Sequence, residues 1–127
     1  MKTWRLRFAS YKTPDDIFDL IISGKKTIET RPRSADSDKR NYANIQIGDK
    51  LLFCSVVSGL EIEKKVAFVH LYNTVPEMVE KEDEEKILPG VGSKENYLQV
   101  IEEVKNKWGE KYKYKLENYG IVAIGFK

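Results

Sequence analysis

The residues with the clearest chemical potential lie in one short run, Gly24-Lys25-Lys26-Thr27-Ile28-Glu29-Thr30-Arg31. Three basic side chains and one acidic side chain occur here, between a predicted helix and a predicted strand. Opposite charges held this closely on rigid elements can recognise an anion or a nucleotide. Taken alone, the run is also explained by a solvated helix end with one local ion pair, which is the more common role of such clusters.

Strand geometry places several of these side chains together. In a strand beginning at Thr27, the two-residue period directs Thr27, Glu29 and Arg31 to one face and Ile28 to the core. Lys26 lies in the preceding turn, where its long side chain can reach Glu29. Such a pair would hold an ammonium group against a phosphate or a base carbonyl, and burial would let Lys26 titrate low enough to act as a base. The structural alternative is a Glu29–Arg31 ion pair worth less than about 1 kcal/mol.

A polar loop is predicted directly after this strand, over residues 32–46, with five charged side chains. Loops of about 15 residues are uncommon in compact domains and are often functional. Arg33, Lys39, Arg40 and Tyr42 combine charges for a phosphate backbone with a ring for base stacking, as a contact to single-stranded RNA would. A loop that only keeps the protein in solution would have a similar composition.

A second basic run is Lys111-Tyr112-Lys113-Tyr114-Lys115, which alternates as a strand would, with lysines on one face and tyrosines on the other. Residues 105–115 carry five lysines and one acid, and residues 1–50 carry 11 basic and seven acidic side chains. Residues 74–95 are acidic, with seven acids and three lysines. The protein therefore has one basic face if the two basic segments meet in the fold.

The chain predicts a single domain over residues 1–127, of the α+β class. Apolar patterns predict strands at 4–8, 27–31, 51–57, 65–72 and 121–126. One helix is predicted to start with Thr13 as cap and Pro14 at its first position and to end at Gly24. Short helices are predicted over 74–86, opened by Thr74, and a long one from Ser93 to Gly109. Strands and helices do not alternate regularly, which favours α+β over a parallel α/β sheet.

Several classes of function find no support in the sequence. No run approaches the roughly 18 apolar residues of a membrane span. The single Cys54 cannot form an internal disulfide, which fits a reducing cytoplasm. His70, the only histidine, falls in a predicted strand and is expected to be a structural residue. We therefore expect a cytoplasmic protein with no membrane partner, no metal site and no cofactor.

The spacing of Gly24, Lys26, Glu29 and Arg31, written G-x-K-x-x-E-x-R, resembles the signature of the ASCH family within the PUA-like superfamily. The element Ile47-Gly48-Asp49-Lys50-Leu51-Leu52-Phe53 is similar to the family's "GD then apolar strand". Leu88-Pro89-Gly90-Val91 and Tyr119-Gly120-Ile121-Val122-Ala123-Ile124 follow in the family's order. The resemblance implies a small, partly open PUA-like β-barrel with flanking helices.

The resemblance also implies a function, since PUA-like relatives are largely RNA readers. We expect an ASCH domain that binds RNA or a nucleotide in a charged cleft formed by the GxKxxExR motif. The residues expected to contact the RNA or nucleotide are Lys26, Glu29, Arg31, Arg33, Arg40 and Tyr42.

An enzyme is the alternative that the resemblance leaves open, with Lys26 and Glu29 as catalytic residues. Some ASCH proteins are amidohydrolases that deacetylate N4-acetylcytidine, using a lysine, a threonine and a glutamate on a later strand. Here Glu29 stands at the threonine position, with Thr27 and Thr30 as neighbours. The later strand, Lys65 to Val69, has no acid, and Glu61 and Glu63 come too early unless the alignment slips. A ribonuclease would instead use Lys26 with Tyr42 and Arg31. A third possibility is a protein-interaction domain that uses the acidic helices at 74–88.

Overall fold

The computed structural model describes residues 1–9 and 12–127. The strands are β1 (Thr3–Phe8), β2 (Ile28–Pro32), β3 (Lys50–Ser55), β4 (Glu61–Tyr72) and β5 (Ile121–Phe126). The helices are α1 (Asp16–Ile22), α2 (Val75–Lys81), α3 (Glu84–Ile87), α4 (Lys94–Trp108) and α5 (Glu110–Tyr119), and Tyr42–Asn44 forms a single helical turn. β4 begins at Glu61, four residues before its predicted start at 65, and the other strand limits agree with the predictions to within two residues.

The strands form one mixed sheet in the order β1-β3-β4-β5-β2. β1 and β3 are parallel, and the other three pairs are antiparallel. The sheet curls so that its two edge strands approach each other. A hydrogen bond links them, in which Nη2 of Arg31 on β2 donates to the carbonyl of Arg7 on β1 at 2.8 Å. This half-barrel with flanking helices confirms the predicted α+β class and the partly open barrel.

Two apolar clusters lie against β5, and they explain why that strand is buried along its whole length. Successive side chains of a strand point to opposite faces. Val122 and Ile124 join a cluster that includes β1, β3 and α1. Ile121 and Ala123 join a second cluster, which includes residues of α2, α3, α4 and α5. The four later helices therefore pack on one face of β5, and α1 packs on the other.

Two of the predicted helix starts are confirmed by their capping hydrogen bonds. The Thr74 hydroxyl accepts from the amide of Glu77 at the start of α2, and the Ser93 hydroxyl accepts from the amide of Asn96 at the start of α4. Both are the side-chain caps that serine and threonine supply to the exposed amides of a first turn. Gly109 ends α4 as predicted, with a φ of 88°.

The predicted start of α1 is wrong by two residues. The helix begins at Asp16, so Pro14 lies before it, and Thr13 donates its amide to the Asp16 carboxylate at 3.2 Å instead of acting as the cap. Asp15 occupies the cap position with a φ of 58°, and its carboxylate accepts from the Ser58 hydroxyl at 3.1 Å. The Asp15 carboxylate is thus engaged by the β3–β4 turn, 43 residues away, and the Ile17 amide donates to the Asp16 carboxylate at 2.7 Å.

The strand-like alternation at Lys111–Lys115 does not form a strand, because this segment is part of helix α5. Tyr112, Leu116 and Tyr119 recur at helical spacing, and Leu116 is buried in the second apolar cluster. The alternation of lysine and tyrosine over five residues fits either structure. Burial of Leu116 on the same side as Tyr112 stabilises the helix.

No helix within residues 1–9 and 12–127 is both long and apolar enough to cross a membrane.

Candidate functional site

A tight turn after α1 directs Lys26 into the protein. Gly24 has a φ of 79°, a conformation that glycine adopts without steric cost. The amides of Lys25 and Lys26 both donate to the carbonyl of Leu20, at 3.1 and 3.0 Å. As a result Lys25 is exposed, whereas Lys26 is only 4% exposed.

The Lys26 ammonium group is held by three acceptors. Nζ donates to the carbonyls of Ile28 at 2.7 Å and Ile87 at 2.6 Å, and it lies 3.6 Å from Oε1 of Glu29. A lysine ammonium has three N–H donors, so this environment matches its hydrogen-bonding capacity. Because Ile87 is the last residue of α3, Lys26 also joins that helix to β2.

Glu29 is the acidic partner on β2, with its side chain only 11% exposed. Its Oε1 accepts from the amide of Thr30 at 2.9 Å, and its Oε2 accepts from Nη2 of Arg31 at 3.3 Å. Two cations and a backbone amide therefore converge on one buried carboxylate. The structure confirms the predicted grouping, in which Lys26 and Arg31 both lie beside Glu29.

Burial and charge act in opposite directions within this cluster. Burial lowers the pKa of Lys26 below its ordinary value of 10.5, and the Arg31 charge lowers it further, against the opposing effect of Glu29. Burial by itself would raise the pKa of Glu29. The Lys26 and Arg31 charges, with the Thr30 amide, outweigh that effect and hold the pKa of Glu29 below 4.5. Glu29 is therefore an anion at neutral pH.

Arg31 spans the gap between the two edge strands. Its Nη2 contacts both the Glu29 carboxylate and the Arg7 carbonyl, and its guanidinium carbon lies 5.7 Å from the centre of the Tyr42 ring. This distance is in the range of a cation–π contact. The guanidinium is thus oriented by three different parts of the chain.

These side chains line a cavity of about 500 Å³ at the open edge of the half-barrel. The floor is formed by β2, and one wall by α4 and α5. The lining residues from β2 are Glu29, Thr30, Arg31 and Pro32, and those from the two helices are Tyr97, Val100, Ile101, Glu103, Val104, Lys107, Trp108 and Tyr112. The cavity therefore combines a charged floor with apolar and aromatic walls.

The aromatic side chains of the cavity differ in exposure and in role. Trp108 is 55% exposed at the end of α4. Tyr97 is buried, and its hydroxyl lies 3.4 Å from Oγ1 of Thr30. Burial raises the pKa of Tyr97, and burial with the Glu29 charge raises the pKa of Tyr112 to about 12. Both phenols are therefore protonated at neutral pH and can donate hydrogen bonds.

The cavity includes some of the predicted site residues and leaves out others. Lys26, Glu29, Arg31 and Tyr42 all line it. The loop arginines do not. Arg33 uses its amide to bond the carbonyl of Gly120, and Arg40 is exposed.

Five further lining residues were not predicted as part of the site, namely Arg7, Tyr97, Lys107, Trp108 and Tyr112. The stripe at 97, 101, 104 and 108 had the spacing of a buried helix face, and that spacing was the available signal. The same side of α4 continues from the core into the cavity. A helical stripe marks an inward face, but it does not tell whether a side chain or a ligand fills the space opposite.

The two basic segments of the sequence meet at this cavity. Arg7, Lys26 and Arg31 come from the first 50 residues, and Lys107 comes from the segment 105–115. The acidic helices α2 and α3 contribute only Ile87 to its lining. The positive potential that such a grouping creates favours an anionic ligand.

Other reactive side chains lie outside the cavity. Nδ1 of His70 lies 2.9 Å from Oε2 of the buried Glu82, which also accepts from the Tyr72 hydroxyl. Cys54 is buried, and burial together with a hydrogen bond to Glu61 raises the pKa of its thiol. Among residues 1–9 and 12–127, no three His, Cys, Asp or Glu side chains are placed to hold a metal ion.

The fold and the site together define a small α+β domain with a charged cavity where its curled sheet stays open. The crystal structure of hypothetical protein PH0355 is similar, with 30% sequence identity, a TM-score of 0.70, and coverage of 100% of this chain and 98% of that one. The chain therefore belongs to the same protein family as PH0355. The solution NMR structure of protein PF0455 from Pyrococcus furiosus is also similar, with 29% identity, a TM-score of 0.62, and coverage of 98% and 96%.

No protein-family model matches the chain, and no curated protein sequence matches it. The names of PH0355 and PF0455 assign no biochemical activity. The resemblance to ASCH domains therefore stays a prediction.

Proposed function

We propose that this protein is a nucleotide-binding domain that holds one nucleotide unit of single-stranded RNA in the cavity above Glu29. The observation that carries the proposal is the pairing of an ordered charged floor with aromatic walls in one cavity of about 500 Å³. Small-molecule sites commonly measure about 300–1,000 Å³ and place a few oriented polar groups in a mainly apolar lining. A nucleotide needs both parts, because its base is flat and aromatic and its phosphate is charged.

Arg31 and Lys107 are the groups that fit the phosphate. Within the described residues, the hydrogen bonds of the Arg31 guanidinium all run through Nη2. A guanidinium has five N–H donors, so the remaining donors are available for phosphate oxygens. Lys107 is exposed at the end of α4 and lines the same cavity.

Trp108 and Tyr112 are the groups that fit the base. Stacking on an aromatic ring is the usual way in which proteins hold single-stranded bases, and it tolerates different sequences. The Glu29 carboxylate can accept one further hydrogen bond at Oε2 from an N–H at the edge of a base.

In this proposal Lys26 holds Glu29 in place and does not contact the ligand. Its Nζ already donates to two backbone carbonyls and pairs with Glu29, so a ligand contact would break existing hydrogen bonds. The same geometry weighs against Lys26 as a general base, since a base needs a free lone pair within reach of the substrate proton. Glu29, with its lowered pKa, is a weak base. Binding without turnover is therefore the function that the geometry supports best.

The test is fluorescence-anisotropy binding of a short single-stranded RNA at two salt concentrations. Trp108→Ala should weaken binding by about 5- to 150-fold, the range expected for the loss of one base–aromatic stack. Tyr114→Ala is the matched control, because Tyr114 is 57% exposed on the neighbouring helix and lies outside the cavity. Lys107→Ala should reduce the salt dependence, whereas Lys113→Ala should not.

The same mixtures would be assayed for RNA cleavage and for deacetylation of N4-acetylcytidine. Equal affinities for the wild type and Trp108→Ala, or no binding by the wild type, would overturn the proposal. Turnover by the wild type that Glu29→Gln abolishes would identify an enzyme instead.

A further inference from the structure

A second cavity adjoins the first one. It has a volume of about 630 Å³ and lies between the start of α1, the turn at 88–91 and the first half of α4. Ile17, Leu88, Val100 and Glu103 line both cavities. The two cavities therefore adjoin along α4, and we refer to the two together as the groove.

The two halves of this groove differ in charge. Four basic and two acidic side chains line the first cavity. One basic side chain, Lys12, and two acidic ones, Asp16 and Glu103, line the second. A phosphate is therefore favoured in the first cavity and disfavoured in the second.

The second cavity is lined by amide side chains suited to an uncharged polar ligand. Asn96 is engaged locally, since its Nδ2 donates to the carbonyl of Val91 at 3.0 Å. Gln99 lies one turn later on α4 and is exposed into the same space. An amide supplies both a donor and an acceptor, the pair of groups that the edge of a nucleobase presents.

We propose that the two cavities are adjacent subsites for consecutive nucleotides, so that the ligand is an RNA strand of two or more residues rather than a free mononucleotide. This inference rests on the proposed function of the first cavity. The phosphate that links the two nucleosides stays over Arg31 and Lys107, and the second base enters the cavity at Gln99. The difference in charge determines this arrangement, because only an uncharged part of the ligand suits the second cavity.

The experiment is a ¹H–¹⁵N NMR titration of the full chain, whose mass of 14.7 kDa suits the method. The ligands are dinucleoside monophosphates, together with nucleoside 3′- and 5′-methylphosphates that carry the same single charge and no second nucleoside. A dinucleotide with an abasic second residue separates the base from the ribose. We expect the dinucleotide to bind about three- to tenfold more tightly than the methylphosphates, as one or two added hydrogen bonds would give.

The NMR signals of the protein report the position of the second base. The side-chain amide signals of Gln99 should shift with the dinucleotide and stay in place with the methylphosphates and the abasic ligand. Gln99→Ala should remove the gain in affinity and leave methylphosphate binding unchanged. Gln46→Ala is the matched control, since Gln46 is the other glutamine of the chain, is exposed and lines neither cavity.

Two failures can be told apart. Equal affinities for the dinucleotide and the methylphosphates, with unmoved Gln99 signals, would overturn the two-subsite inference and leave the proposed function standing. Absence of binding by every ligand, with short RNA also unbound, would overturn the proposed function and the inference with it.

Discussion

The substitution Lys26→Met tests whether the charged floor of the cavity is a buried, interdependent unit. Methionine retains most of the apolar length of lysine and removes only the ammonium group. The carbonyls of Ile28 and Ile87 would lose their 2.7 and 2.6 Å donor, and Glu29 would lose one of its two cationic partners. The ammonium is lost from a site that is only 4% exposed, so water cannot simply replace it.

The expected cost follows from these contacts. Removing one partner of a buried ion pair typically destabilises a protein by about 3–5 kcal/mol, and each buried polar group left without a partner costs about 1–3 kcal/mol. The two costs overlap, because both describe the same missing ammonium. We therefore expect Lys26→Met to lower the free energy of unfolding by about 3–5 kcal/mol and Tm by roughly 10–20 °C.

Urea denaturation followed by circular dichroism measures this loss. Lys25→Met is the matched control, since Lys25 is the exposed neighbour, and its substitution should change stability by less than about 0.5 kcal/mol. Glu29→Gln should cost less in the Lys26→Met background than in the wild type, because one of the two cationic partners of Glu29 is already missing there. A loss below about 1 kcal/mol for Lys26→Met would refute the reasoning and indicate a solvated lysine.

Three further predictions concern acid stability and packing. Because the pKa of Glu29 is lowered in the folded protein, the unfolded chain binds this proton at a higher pH than the folded protein does. The charge of Glu29 therefore stabilises the fold fully well above pH 4.5, and this stabilisation is lost as the pH falls below that value. In urea denaturation at several pH values, the difference in stability between wild type and Glu29→Gln should therefore shrink on acidification. Gly125→Ala should cost about 1–3 kcal/mol, because a Cβ there would lie 1.9 Å from the ring of Phe68. The Asp49 carboxylate accepts from three donors, among them the indole N–H of Trp4 at 3.1 Å, and asparagine has only one side-chain oxygen. Asp49→Asn should therefore cost about 1–3 kcal/mol for each donor left unpaired, measured by urea denaturation followed by near-ultraviolet dichroism.

Matched control variants distinguish these specific effects from nonspecific changes in stability. Glu95→Gln, at an exposed position of α4, should leave the shape of the acid limb unchanged. Gly125→Ala should cost less in a Phe68→Leu background, where the ring is absent. Asp36→Asn, on the exposed loop, should be nearly neutral. Equal costs for Asp36→Asn and Asp49→Asn would contradict the role given to the buried carboxylate.

The elements that sequence analysis predicted correctly are those whose signals are local. The caps at Thr74 and Ser93 satisfy amides only three residues away, and the apolar run at β5 needs no information about its partners. The start of α1 depends instead on a serine 43 residues away from Asp15, and α5 depends on the cluster that buries Leu116. Such long-range contacts override local preferences, and a single sequence does not display them.

The sequence by itself determined that Lys26, Glu29 and Arg31 lie together, because a turn followed by a strand fixes their spacing within six residues. Only the tertiary structure decided what that grouping becomes. The carbonyl of Ile87 comes from 61 residues along the chain, and the Arg7 carbonyl comes from the opposite edge of the sheet. Burial of Lys26 and the aromatic wall of α4 arise from the same long-range packing. The charge pattern alone therefore predicted a candidate site, and the packing of α3, α4 and α5 against the open sheet places that site in a cavity.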